Sequence, residues 1–159
     1  MLEVRKIAKV KFGFLISVLM FLFVATGCSS IPLASKEVEQ RAKQFDPEDG
    51  KAILYVVQDG GYASGMALFQ VSVDGQPQGS LSGWTFHRVV VSPGVHTIFA
   101  TSPENEDGVK VDAPAGGLVF ISVPSIAGWK FMRVGGMRQL SELEGKASVS
   151  EANLARGFR

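Results

Sequence analysis

From Lys51 onward the apolar stretches are short, and each meets a turn signal before it is long enough for a helix of ordinary length. AILYVV (Ala52–Val57) is a continuous apolar run, the pattern of a strand buried on both faces. In LFQVSV (Leu68–Val73), Phe69, Val71 and Val73 point one way and Gln70 and Ser72 the other, which describes a half-buried strand. Asp74-Gly75 then signals a two-residue hairpin, because both positions tolerate positive φ. Pro77 has no N–H to give a ladder, so the returning segment belongs at a sheet edge. WTFHRVVV (Trp84–Val91) and VHTIFAT (Val95–Thr101) flank a second reversal at Ser92-Pro93-Gly94. After a polar loop come VKVDA (Val109–Ala113), a turn at Pro114-Ala115-Gly116-Gly117, LVFISV (Leu118–Val123) and WKFMRV (Trp129–Val134). Gly135-Gly136 reads as a bend, and MRQLSE as a last strand. About seven or eight strands at turn spacings of about 8–12 residues predict an all-β fold. The expected architecture is a small antiparallel β-sandwich, transthyretin-like or immunoglobulin-like, over residues 51–143. A domain of roughly 110 residues buries a sufficient core without disulfides.

The flanks read differently. Ser35 is a preferred N-cap before KEVEQRAKQF, with Glu37 and Glu39 suited to a first turn. Val38, Ala42 and Phe45 recur at i, i+4 and i+7, so residues 28–50 are expected to be a tether and a short helix. Asp46-Pro47-Glu48-Asp49-Gly50 ends that helix. Residues 144–159 are weakly patterned and are expected to form a frayed tail with one helical turn near Ser150.

Met1 to Phe12 carries Arg5, Lys6, Lys9 and Lys11 against Glu3, and GFLISVLMFLFVA (Gly13–Ala25) is almost wholly apolar. A basic start, a short apolar run and a small-residue exit describe a secretory signal peptide over 1–27. The run is shorter than the roughly 20 residues of a permanent membrane span. Cys28, alone in the chain, stands immediately behind Ala25-Thr26-Gly27 and can form no intrachain disulfide. The segment resembles the lipobox of bacterial lipoproteins, although Ala25 stands where that family usually has Leu. The resemblance implies cleavage after Gly27 and attachment of lipid to Cys28, which makes the membrane a partner without any transmembrane helix. Since one acyl chain holds only reversibly, the two or three chains of a lipoprotein make a firm anchor. Ser29 rather than Asp after the cysteine implies the outer membrane, facing the periplasm. Removing the leader leaves twelve Lys and Arg against fourteen Asp and Glu, and a domain without a basic excess is no nucleic-acid binder.

KAILYVVQ, FQVSVDGQPQGSL and FHRVVVSPGVHTIFAT resemble, in that order, a bacterial family catalogued as domain of unknown function 2846. The matching residues are Ala52, Tyr55, Val73, Asp74, Gly75, Pro93, Gly94, His96 and Thr97, within a resemblance that covers about Phe45 to Leu143. Gln58 stands where the family pattern has Arg, and Trp84-Thr85-Phe86 replaces a Tyr segment. The resemblance implies a lipoprotein with no known reaction.

No catalytic constellation is legible. His87 and His96 lie across the Ser92–Gly94 hairpin, but a zinc site needs three or four ligands and the chain has no further His. His96 is expected to order the Pro93-Gly94 turn and His87 to be a polar strand residue. Ser64, Ser80 and Ser82 do not fit G-x-S-x-G. Glu104-Asn105-Glu106-Asp107-Gly108 lacks calcium-loop spacing and reads as a solvated turn. Trp84, Phe86, Trp129 and Phe131 are expected in the core, the alternative being a platform for sugar rings or a protein partner. Gly60, Gly61, Tyr62 and Gly65 read as a long connection. No cofactor, metal or catalytic residue is expected. The function expected is that of a non-enzymatic envelope lipoprotein, a binding or scaffold module for an envelope protein or glycan. The alternatives are a subunit of a secretion or envelope-spanning assembly, and a hydrolase of a cell-wall or lipid substrate.

Overall fold

A computed structural model describes residues 31–60 and 64–157 of the chain. The leader over 1–27, Cys28 and the first tether residues lie outside the described residues, as do Gly61, Tyr62 and Ala63.

The elements in chain order are α1 (Lys36–Ala42), β1 (Ala52–Gln58), β2 (Leu68–Val73), β3 (Gln76–Ser82), β4 (Thr85–Val91), β5 (Gly94–Thr101) and β6 (Glu106–Ala113). There follow β7 (Leu118–Ser122), β8 (Ser125–Ala127), β9 (Met132–Val134), β10 (Arg138–Leu140), α2 (Glu142–Glu151) and β11 (Asn153–Leu154). One sheet has the order β10-β7-β1-β4-β11, a second β3-β2-β5-β6, and β8-β9 form a separate hairpin. The domain is the expected all-β sandwich. Two pairings within it are parallel, β1 with β7 and β4 with β11. The first follows from the route of the chain, which leaves the first sheet after β4, builds β5 and β6 in the second, and re-enters beside the start of β1. There Ile53 N–H donates to Gly117 O at 2.9 Å.

Three layers result. Ala52, Leu54 and Val56 of β1 face Phe69, Val71, Ile98, Ala100 and Val111 of the second sheet. Ile53, Tyr55 and Val57 face the opposite way, with Phe86, Phe120 and Leu140, beneath Ala42 of α1 and Val149 of α2. The unbroken apolar run of β1 is therefore buried on both faces along its whole length. Tyr55 stacks on Phe120 with ring centroids 5.0 Å apart, and its hydroxyl donates to Ala42 O at 2.7 Å. Burial raises the Tyr55 pKa. The β2–β3 hairpin turns at Asp74 and Gly75, φ 50° and 76°, and β3 with Pro77 is an edge strand, both as expected.

Two expectations are corrected. The described part of the tail expected to fray over 144–159 is not frayed: Glu142–Glu151 is a helix and Asn153–Leu154 a sheet strand. Ser141 caps that helix with a complete capping box, its hydroxyl accepting from Glu144 N–H while the Glu144 carboxylate accepts from Ser141 N–H. Nor is Trp129–Val134 one strand, because only Met132–Val134 pairs, leaving Trp129 and Phe131 at the tip of the β8–β9 hairpin.

Candidate functional site

β4 is covered on its outer side only in part. Asn153 N–H donates to Trp84 O at 2.8 Å and Ala155 N–H to Phe86 O at 2.9 Å. At Arg156 the chain leaves β4 and donates instead to Pro32 O, at 2.8 Å. The main-chain groups of alternate strand residues turn to the same neighbour, so Arg88 and Val90 present theirs on the side of Trp84 and Phe86. Among the described residues nothing hydrogen-bonds to the backbone of Arg88 or Val90 on that side. The notch where β11 stops opens into a groove of about 1350 Å³. Val38 and Arg41 of α1 and the Asp46–Glu48 turn line one side, Gln78 of β3 and Gly157 the other.

The charges in this groove are unevenly matched. Arg88 donates to Glu48 at 2.7 Å, while Arg41 and Arg156 make no ion pair among the described residues. The α1 wall is fastened by Glu39, which accepts from Leu154 N–H at 3.2 Å and from Lys43 at 3.1 Å. Burial raises the Glu39 pKa, but Lys43, the Leu154 amide and Lys36 together bring it below its ordinary value.

His87 lines the groove with 2% of its surface exposed. Its Nε2 is buried and has no hydrogen-bond partner among the described residues. Burial pushes its pKa down to about 4, and only the Ser80 carbonyl acts the other way. At neutral pH the ring is therefore uncharged. It is not the simple polar strand residue expected from the alternation.

His96 occupies a different place. Its Nδ1 lies 2.6 Å from Asp74 Oδ2 and its Nε2 lies 2.7 Å from Ser92 O, while Asp74 Oδ1 accepts from Thr97 N–H at 2.9 Å. The ring thus ties the β2–β3 turn to the β4–β5 turn, as expected for Pro93-Gly94 and with Asp74 in addition. Two acceptors facing two ring nitrogens favour the doubly protonated imidazolium, and the Asp74 carboxylate raises the His96 pKa. Asp74 is lowered in turn by the His96 hydrogen bond and the Thr97 amide. A raised folded-state pKa means that the His96 contribution is complete below pH 6.5 and is lost as pH rises through the folded value. Asp74→Asn is expected to destabilise the chain in urea titration more at pH 6 than at pH 8, by less than about 1 kcal/mol because the Asp74 side chain is half exposed.

The aromatics divide. Phe86 is core, as expected, whereas Trp84 and Phe131 are about half exposed and Trp129 is 91% exposed. Trp84 adopts φ 60°, a strained conformation for a bulky side chain, and its ring covers Gly60 so closely that a Cβ there would collide with it. Met66, Leu68 and Ile126 are exposed as well. The strand directions place this apolar rim at the end of the sandwich opposite the Asp74–His96 clamp. Beneath it Gln58 is fully buried with neither amide atom partnered among the described residues.

The acidic loop is more than the solvated turn expected. Glu104 accepts from Trp129 N–H and Phe131 N–H, each at 2.8 Å, and from Lys130 N–H. Those three amides lower its pKa. Asn105 both donates to and accepts from the Val134 backbone, and Asp107 accepts from Met137 N–H at 2.7 Å. The loop brackets the β8–β9 hairpin. Alternating Asn and acid residues close to a glycine were the available signal, but their partners lie 25 to 30 residues downstream.

Of the remaining candidates, Cys28 lies outside the described residues, and Ser64 falls in a short 3₁₀ turn. Ser80 Oγ accepts from Gln70 at 2.9 Å, and the Ser82 backbone bonds Thr85. Among the described residues neither histidine has both an acid and a hydroxyl on its ring, since His96 faces a carbonyl opposite Asp74. Among the described residues no three His, Cys, Asp or Glu side chains are grouped to hold a metal, and no helix is long and apolar enough to cross a membrane.

The chain is similar to an uncharacterized protein of Haemophilus influenzae, 28% identical over 141 residues that cover 87% of this chain and 82% of the relative. No family model matches the chain, and no solved structure matches it.

Proposed function

We propose that the chain is a lipid-anchored lipoprotein of the bacterial envelope, its sandwich a non-enzymatic binding or scaffold module held at the outer membrane and facing the periplasm. The observation that carries this reading is the position of Cys28. It stands directly behind a basic and apolar leader, and only three residues before Ile31, which packs against the inter-sheet core. Three residues reach about 10 Å at full extension, so lipid on Cys28 would hold the sandwich against the bilayer surface. Ala34 N–H donates to Leu154 O of β11 and Pro32 O accepts from Arg156 N–H, so the chain is fastened to the sandwich from Pro32 onward, which supports a short tether. We also propose membership of the family of domain of unknown function 2846. Its two turn motifs in this chain, Val73-Asp74-Gly75 and Pro93-Gly94 with His96-Thr97, meet in one clamp, which gives the shared residues a common structural reason.

Intact mass and N-terminal peptide spectra of the full chain from bacterial cells test the anchor. The expected mature chain begins at Cys28 and carries the mass of two or three acyl chains. Cys28→Ala is expected to lose that mass and to keep its leader. An unmodified Cys28 on an uncleaved chain rejects the reading.

A second reading, subunit of an envelope-spanning assembly, is favoured by the uncovered β4 edge and by the apolar rim around Trp84 and Trp129. In-cell crosslinking followed by mass spectrometry separates the two, one stoichiometric protein partner being the result expected of a subunit.

A further inference from the structure

We infer that the uncovered edge of β4 is a strand-addition site that takes an extended, acidic peptide segment of an envelope protein into the groove beside Arg88. The inference deepens the binding-module reading and rests on it, but not on the lipid anchor.

The edge itself states the chemistry of the occupant. Arg88 and Val90 offer N–H, C=O, N–H, C=O in a row, on the line that β11 vacates at Arg156. A peptide main chain matches that alternation of donors and acceptors, whereas a lipid headgroup has phosphate acceptors and too few donors to match it. Of the usual guards of a free edge β4 carries only a charge, Arg88, and Glu48 neutralises it. It has no proline, no bulge in its pairing with β1, and a valine, Val90, 40% exposed at the open position. The edges of the other sheet are guarded, β3 by Pro77 and a bulge beside Val71, β6 by Glu106, Asp107, Lys110 and Asp112.

The groove decides between one strand and a folded partner. α1 and the Asp46–Glu48 turn stand on one side of the edge, Gln78 and Gly157 on the other. With walls flanking the edge, the occupant we infer is one extended segment about 4.8 Å from β4, and not the β4 edge of a second copy, which carries the same walls. Charge selects among segments. Glu48 neutralises Arg88, which leaves Arg41 and Arg156 against Asp46 and a net call for a carboxylate. Val38 in the groove and Val90 further along the edge are both exposed to apolar contact.

The probe is a synthetic peptide of about nine residues, alternating valine and threonine with one aspartate at the centre. It is titrated by calorimetry into the full chain in detergent micelles. Saturable binding is expected. N-methylation of alternate peptide amides should weaken it about tenfold or more, the cost of lost main-chain hydrogen bonds. Val90→Pro should do the same, because the Val90 N–H points away from β1 and its loss leaves the β1–β4 ladder intact. Arg41→Glu, or lysine in place of the peptide's aspartate, should also weaken binding. Equal affinity for the N-methylated probe would overturn the inference, as would an absence of binding at millimolar peptide. So would displacement of the probe by phosphatidylglycerol vesicles, which assigns the groove to lipid, or a chain dimer abolished by Val90→Pro, which assigns the edge to a second copy. The intact mass of the same preparation reports the anchor separately, so failure of lipidation and failure of peptide binding are read independently.

Discussion

Gly145→Ala is expected to destabilise the full chain by about 1–3 kcal/mol in urea titration, although alanine is the better helix former by about 1 kcal/mol. A Cβ on Gly145 would lie 2.1 Å from Phe120 Cγ, well inside van der Waals contact. Phe120 cannot retreat, because it is fully packed, stacked on Tyr55 at 5.0 Å and met by Phe45 at 5.9 Å. The helix must rise off the sheet instead, lifting Val149 and loosening the strand that follows it. Phe120→Ala removes the ring part of the obstacle, at a cost of its own of about 3–5 kcal/mol, but leaves the Phe120 Cβ position 2.3 Å from the new methyl. In that background Gly145→Ala is expected to cost less than in the parent chain without becoming stabilising, so the double-mutant cycle should show coupling between the two sites. Equal effects of the alanine in both backgrounds would mean that α2 does not rest on Phe120.

The same helix marks where sequence reading stopped. Ser141-Glu142-Leu143-Glu144 is a capping-box pattern and was legible. What hid the helix was its buried stripe, only Gly145 and Val149, since a glycine in a helix interior weakens the pattern unless a large neighbour is known to require it. The long strands were readable because alternation and turn chemistry are local. Ala52–Val57, Leu68–Val73, Asp74-Gly75 and the edge role of Pro77 all follow from neighbours within a few residues. Parallel pairing of β1 with β7 depends on a return from a second sheet, which no local pattern encodes.

The candidate site was less legible for the same reason. The Asp74–His96 contact joins two turn motifs that sequence shows as separate, and Glu104 finds its amides 25 to 27 residues away. Trp129 alternates with Phe131 as a core strand would, yet the tip of a short hairpin exposes both. The notch beside Arg88 exists only because Arg156 turns from β4 to Pro32, a choice between two partners far apart in the chain.

Stability is expected to fall by about 2–3 kcal/mol between pH 6.5 and pH 4.5, with His87 as the cause. The native ring resists protonation, its pKa held down at about 4 by burial, whereas the unfolded chain takes up that proton near pH 6.5. Below pH 6.5 the unfolded state binds more protons, so stability drops with pH until the native ring also titrates. The other titrating groups occupy different windows. His96, raised by Asp74, contributes fully below pH 6.5 and loses its contribution only as pH rises above it. Glu39 and Asp74 are lowered, so each contribution is present above its unfolded value, 4.5 or 3.8, and is lost as pH falls through the folded one. The slope between pH 6.5 and 4.5 therefore belongs to His87 alone among these groups. His87→Gln, which keeps an N–H for the Ser80 carbonyl, should flatten that slope in urea midpoints measured across the range. His96→Gln should leave it unchanged and remove the decline above pH 6.5. A slope that survives His87→Gln would mean that the ring is not held neutral, and the groove would then be lined by an imidazolium that favours its carboxylate occupant still more strongly in acid.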